Sequence, residues 1–117
     1  MNLDIGDDST LTLNEYQDEA LATAVYSDDD AIVYTTMGLV GEAGEIANKV
    51  KKVMRGDKEL DDNFIRELSK EIGDVLWYVA ALSDSLNIDL ETIAVRNLIK
   101  LNKRRINNTI QGDGDNR

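Results

Sequence analysis

Leu39-Val40-Gly41-Glu42-Ala43-Gly44-Glu45-Ile46 returns twenty-nine residues later as Leu68-Ser69-Lys70-Glu71-Ile72-Gly73-Asp74-Val75. Each copy carries two acids three residues apart, a Gly between them and apolar residues on either side. Residues three apart share one face of a helix, so each copy presents two carboxylates side by side. Two such helices packed together bring four carboxylates to one place. Anions crowded in that way call for a positive occupant, and oxygen donors alone suit a hard divalent cation.

Around these copies the apolar residues recur at three and four, and Pro is absent. The pattern predicts an all-α, four-helix bundle-like fold with helices at about 12–26, 31–54, 63–87 and 89–106. Thr12 and Glu15 form a capping box for the first helix, which buries Leu13, Tyr16, Ala20 and Ala24. Gly56 stands where the second helix stops, and Asp89 is the expected cap of the fourth. Helix two turns Leu39, Ala43, Ile46, Val50 and Val53 inward. Helix three turns in Leu68, Ile72, Val75, Val79, Leu82 and Leu86. The acid pairs lie on the same side of each apolar stripe, so two antiparallel helices close them over a shared seam. A Gly inside a helix costs about 1 kcal/mol against Ala. Its recurrence at Gly44 and Gly73 therefore points to close approach of backbone or ligand. Residues 1–11 read as an acidic N-terminal extension, 12–106 as the helical domain, and 107–117 as a polar tail that either frays or folds over a ligand as a flap.

The 117 residues suit one domain. The charge of −10, from 23 acids against 13 bases, opposes direct binding to a nucleic-acid backbone. No apolar run reaches the roughly 20 residues of a membrane span, and the polar start does not read as a secretion signal. The default location is the cytoplasm, or the host cytoplasm for a viral protein. With no Cys and no His, thiolate and imidazole metal sites, Ser-His-Asp catalysis and the Glu-x-x-His di-iron bundles are excluded. Chemistry falls to carboxylates, Lys, Arg, Tyr and a bound cation.

Bland readings stand beside these. Glu45–Lys49 and Lys70–Asp74 are ordinary i,i+4 ion pairs on solvated helix faces. Trp77 and Tyr78 are either core or a stacking surface for a base. Arg96, Lys100, Lys103, Arg104 and Arg105 either complement the helix dipole or contact phosphate.

Together these residues resemble the MazG-like, all-α nucleoside triphosphate pyrophosphohydrolases of the short, single-domain bacterial and phage type. The family pattern, Glu-x-x-Glu followed by Glu-x-x-Asp, is met by Glu42, Glu45, Glu71 and Asp74. Asn14-Glu-Tyr-Gln17, Gly41 to Lys52, Glu71 to Tyr78, Asn97-x-x-Lys100-Leu101 with Arg104, and the Gly-x-Gly-Asp-Asn-Arg ending extend the likeness. The resemblance implies a nucleoside triphosphate substrate cleaved between the α and β phosphates to a monophosphate and pyrophosphate, and deoxynucleotides are our expected substrates. It implies Glu42, Glu45, Glu71 and Asp74 as ligands of Mg²⁺, with Mn²⁺ as an alternative, or Glu45 as the holder of the attacking water. It assigns Lys52, Lys100 and Arg104 to the leaving pyrophosphate, Asn97 and Tyr78 to the nucleoside, and Gln17 to the base. A homodimer or homotetramer is the expected assembly. Relatives specific for pyrimidines place a His and extra Trp around the base, which this chain lacks, so their preference does not carry over. Two rivals remain: a non-catalytic nucleotide or alarmone binder, and a structural helical assembly protein.

Overall fold

The computed structural model describes residues 10–117, so most of the expected acidic extension lies outside the described residues. Four helices follow in order: α1 (Leu13–Leu21), α2 (Ala31–Met54), α3 (Asp62–Ser85) and α4 (Leu90–Ile106), with one 3-10 turn at Asp28–Asp30. No strand occurs among the described residues, and no helix there is long and apolar enough to cross a membrane. The long seam runs between α2 and α3, α1 lies against α3, and α4 leans on α1 and α3.

The helix ends follow from backbone groups seeking partners. Thr12 Oγ1 accepts from Glu15 N at 3.0 Å and opens α1. Asp61 Oδ1 does the same for α3, accepting from Phe64 N at 2.8 Å. α1 stops at Leu21 rather than running to Tyr26, and the reason is local. The Ala20 carbonyl is taken by Thr23 N, by Thr23 Oγ1 and by the Trp77 indole N–H, so the last turn is closed by a side chain from α3. The other three helices share one ending. Gly56, Asn87 and Asn108 adopt φ of 87°, 58° and 55°. The next residue's N–H then returns to a carbonyl of the last turn: Asp57 to Lys52, Ile88 to Ser83, and Thr109 to Arg104. This left-handed closure satisfies carbonyls that would otherwise be orphaned, and it ends α3 at Ser85, two residues before the expected boundary.

Asp89 sits at the N-cap of α4 but its side chain makes no cap bond. The role passes to α1: Gln17 Oε1 accepts from Leu90 N at 2.9 Å, and Asn14 Oδ1 accepts from Glu91 N at 3.0 Å. Leu90 is buried and carries this end of α4 into the core with it.

That core is small: Ala20, Phe64, Ala80, Ala81 and Leu90, with Thr35 and Ser83 among them. Leu13, Ala43, Val50, Ile72 and Leu86, expected inside, are exposed. The other members of the expected α2 and α3 stripes are half-buried. α2 leaves Met37 69% and Val40 67% exposed, and α4 leaves Leu98 65% and Ile99 63% exposed.

Candidate functional site

The connection between α2 and α3 makes a hairpin, and the two acid pairs lie at matching heights along it. Glu42 is twelve residues before the end of α2, and Asp74 is twelve residues after the start of α3. At 1.5 Å per residue both stand about 18 Å above the connection. The symmetry of the repeated motif thereby becomes a meeting point: carboxylate oxygens of Glu42, Glu71 and Asp74 all lie within 4.8 Å of one another.

Glu45 does not join them. It is exposed on α2, one turn from Glu42, and outside the converging three. Its expected ion pair with Lys49 is replaced by one across the seam, Lys49 Nζ to Glu71 Oε1 at 3.7 Å. The Glu42 carboxyl is pushed above the usual carboxylate range, first by partial burial, then by the Asp74 charge, by sharing a proton with Glu71, and by the Glu71 and Glu45 charges. Crowding of like charge in this way is compatible with a bound cation. Three oxygen donors without nitrogen or sulfur fit a hard divalent ion of the Mg²⁺ or Mn²⁺ kind.

Beside the acids lies a cavity of about 380 Å³ lined by Thr23, Val25, Tyr26, Tyr34, Glu42, Asp74, Trp77 and Tyr78. The Tyr26 and Tyr34 rings sit 4.9 Å apart, and Trp77 meets Tyr78 edge-on at 5.0 Å. The Trp77 indole N–H is held by Ala20 O at 3.1 Å and Thr23 Oγ1 at 2.9 Å, which fixes the ring. Burial raises the Tyr78 hydroxyl pKa, with further contributions from its bond to Tyr34, the Tyr34 hydroxyl, Glu42 and Asp74. Tyr16, expected in the core, is half-buried, and its hydroxyl pKa is raised by burial and then by Asp74. Tyr26 and Tyr34 were not legible as site residues, because one lies in the loop after α1 and the other in the first turn of α2.

The close approach expected at Gly44 and Gly73 is not between backbones, since a Cβ at either would meet nothing within 4 Å. It falls at Gly38 instead. Gly38 and Tyr78 stand sixteen residues from the connection on their respective helices, and a Cβ on Gly38 would lie 2.1 Å from the Tyr78 ring. Gly38 is thus the seat of Tyr78. Gly38→Ala must drive the ring into the cavity or the helices apart. We expect a KM for nucleotide raised about tenfold, the order of a lost aromatic contact of 1–3 kcal/mol. An unchanged KM would show that the ring position does not matter to binding.

The remaining predicted residues are neither among the converging acids nor among those lining the cavity. Lys52 is in the last turn of α2, ten residues or about 15 Å beyond Glu42. Asn97 is exposed on α4. Lys100 and Arg104, also on α4, are engaged by Asp115 of the tail. Gln17 cannot face a base: only 5% exposed, it donates through Nε2 to Ala80 O and Ile88 O, both at 3.2 Å, and accepts from Leu90 N.

The acidic, oxygen-donor centre on the α2–α3 hairpin thus opens into an aromatic cavity within an all-α fold. Residues 33–108 match the MazG nucleotide pyrophosphohydrolase domain. The chain belongs to that family. It is similar to the Gene 37 protein of Mycobacterium phage L5, 50% identical over an alignment 109 positions long that covers 87% of this chain and 96% of that protein. No solved structure matches the chain.

Proposed function

We propose that the chain hydrolyses nucleoside triphosphates, deoxynucleotides above all, between the α and β phosphates to give a nucleoside monophosphate and pyrophosphate. The observation that carries this reading is the shared wall: Glu42 and Asp74 line the same cavity as Tyr26, Tyr34, Trp77 and Tyr78. A base among those rings directs its phosphates toward the acids, and stacking of that kind contributes about 1–3 kcal/mol per base. Glu42, Glu71 and Asp74 would hold Mg²⁺, or Mn²⁺ in its place; when bound, such an ion neutralises phosphate charge and lowers the pKa of its water. Glu45, one turn away and outside the trio, is suited to accept the proton of the attacking water. Lys49 restrains Glu71 from across the seam. A cytoplasmic setting, where nucleoside triphosphates are made and used, suits the reaction.

The test is incubation with a panel of NTPs and dNTPs plus Mg²⁺, with pyrophosphate and orthophosphate measured separately. Pyrophosphate with monophosphate is the expected outcome. Orthophosphate alone would contradict the α–β cleavage, and binding without turnover would select the non-catalytic nucleotide binder.

We also propose that the chain works as a homo-oligomer, a dimer or tetramer. Met37 and Val40 on α2 and Leu98 and Ile99 on α4 are apolar surface of the kind that association covers. Light scattering should give a mass two or four times the 13.0 kDa of the chain. Replacing Leu98 and Ile99 together with Lys should reduce it. A 13.0 kDa particle at all concentrations would contradict the assembly.

A further inference from the structure

The tail after α4 is not frayed; it is a strap. Arg117 staples it, donating through Nε to Thr109 O at 2.9 Å, through Nη2 to Ile110 O at 2.9 Å and through Nη1 to Gly114 O. Gly112 and Gly114, at φ of 149° and 82°, let the chain double back. The turn delivers Asp115 to α4, where its carboxylate accepts from Lys100 Nζ at 3.1 Å and from Arg104 Nη2 at 3.0 Å. Arg104 Nη2 also donates to the Asp115 carbonyl at 2.9 Å.

The two sides of this contact differ. The Arg104 side chain is 7% exposed while that of Asp115 is 80% exposed. A guanidinium so enclosed normally uses its whole fork of donors, yet Arg104 Nε is buried with no hydrogen-bond partner. The Asp115 oxygen reaches only one nitrogen of the fork. A phosphate has oxygens enough to take Nε and Nη2 together and still reach Lys100, the two-pronged geometry for which Arg is suited. The site therefore holds an anion that fills it incompletely. That anion is also tied down weakly, because an ion pair with so exposed a member contributes little.

We propose that Asp115 is a built-in competitor: its carboxylate occupies the Lys100–Arg104 anion site in the free protein, and a phosphate or pyrophosphate group displaces it and swings the strap away. The proposal rests on the reading of Lys100 and Arg104 as phosphate contacts, and goes beyond it by making that site self-occluded. The strap then keeps the enclosed cation screened from stray anions and sets the concentration at which phosphate is accepted. The bonds from Lys100 and Arg104 and their charges lower the Asp115 carboxyl pKa, as expected of a carboxylate seated in a cationic site.

The test is calorimetric titration of the full chain with inorganic pyrophosphate in metal-free buffer, which reads the cationic site without turnover. Asp115→Asn, which keeps shape and removes charge, should tighten pyrophosphate binding about threefold to fivefold, the most that an exposed pair can withhold. Arg104→Gln should abolish it. In the parent protein, the Arg104 Nε–H resonance and the amide resonances of residues 112–117 should shift together on titration. Equal or weaker binding by Asp115→Asn would overturn the proposal and leave Asp115 as a brace for Arg104. Strap resonances that stay in place while pyrophosphate binds would overturn it as well. So would absence of pyrophosphate binding to both proteins. If nucleotides were nonetheless turned over, that last result would leave the catalytic reading intact while removing this one.

Discussion

Glu42→Gln should lower pyrophosphate release at least a hundredfold while the helices persist. The substitution preserves shape but takes the charge from one of three oxygens that converge within 4.8 Å. Even outer partners of metal ligands typically cost about 10–100-fold when lost, and Glu42 is placed to be a ligand itself. Asp74→Asn, at the same height on α3, should behave alike. Activity retained in both would remove these acids from the mechanism. Stability gives an independent reading with a definite sign. The Glu42 pKa is raised in the folded chain, so protonation favours the fold and the ionised form works against it. Without metal at neutral pH, Glu42→Gln should melt higher than the parent, and the gap should close as pH falls and the parent takes up its proton. Added Mg²⁺ should reverse the order by stabilising the parent alone, by about 2.7 kcal/mol at a hundred times the dissociation constant. Identical melting with and without Mg²⁺ would favour the structural-protein alternative.

Gln17→Leu should cost about 3 kcal/mol of stability and lower Tm by about 10 °C. Leu fills the space but leaves Leu90 N, Ile88 O and Ala80 O without the partner that serves all three. Loss of a partner for buried groups costs about 1–3 kcal/mol each, and the Ala80 carbonyl, inside α3, suffers least. The damage should spread to α4, whose first turn depends on this side chain. A base-reading residue would behave in the opposite way, with KM raised and melting unchanged. Measuring both on one variant separates the two roles.

The contrast between these residues shows what a sequence displays. Glu42, Glu71 and Asp74 were legible because a motif repeated at equal distances from a hairpin connection comes to matching heights on the two helices. Gly56 was legible because a helix stop needs only its own neighbours. Gln17 was assigned to the base, and its packing role was hidden because its three partners are backbone groups more than sixty residues away. Backbone groups carry no sequence signature. The early end of α1 was hidden for the same reason, since an indole from α3 decides it. Glu45 follows the motif yet stays outside the trio, because three-residue spacing puts acids on one face without giving both the same reach. The apolar stripes were legible as stripes, but periodicity alone does not say how fully each member is covered, and Leu13, Ala43, Val50, Ile72 and Leu86 are exposed.

Trp77 is the single tryptophan of the chain, it is held rigidly by two hydrogen bonds, and it lines the cavity beside Glu42 and Asp74. The protein consequently carries its own optical reporter at the place where a base would lodge. Quenching of its emission would follow occupancy in real time without a label, and the same signal would time departure of the spent nucleotide.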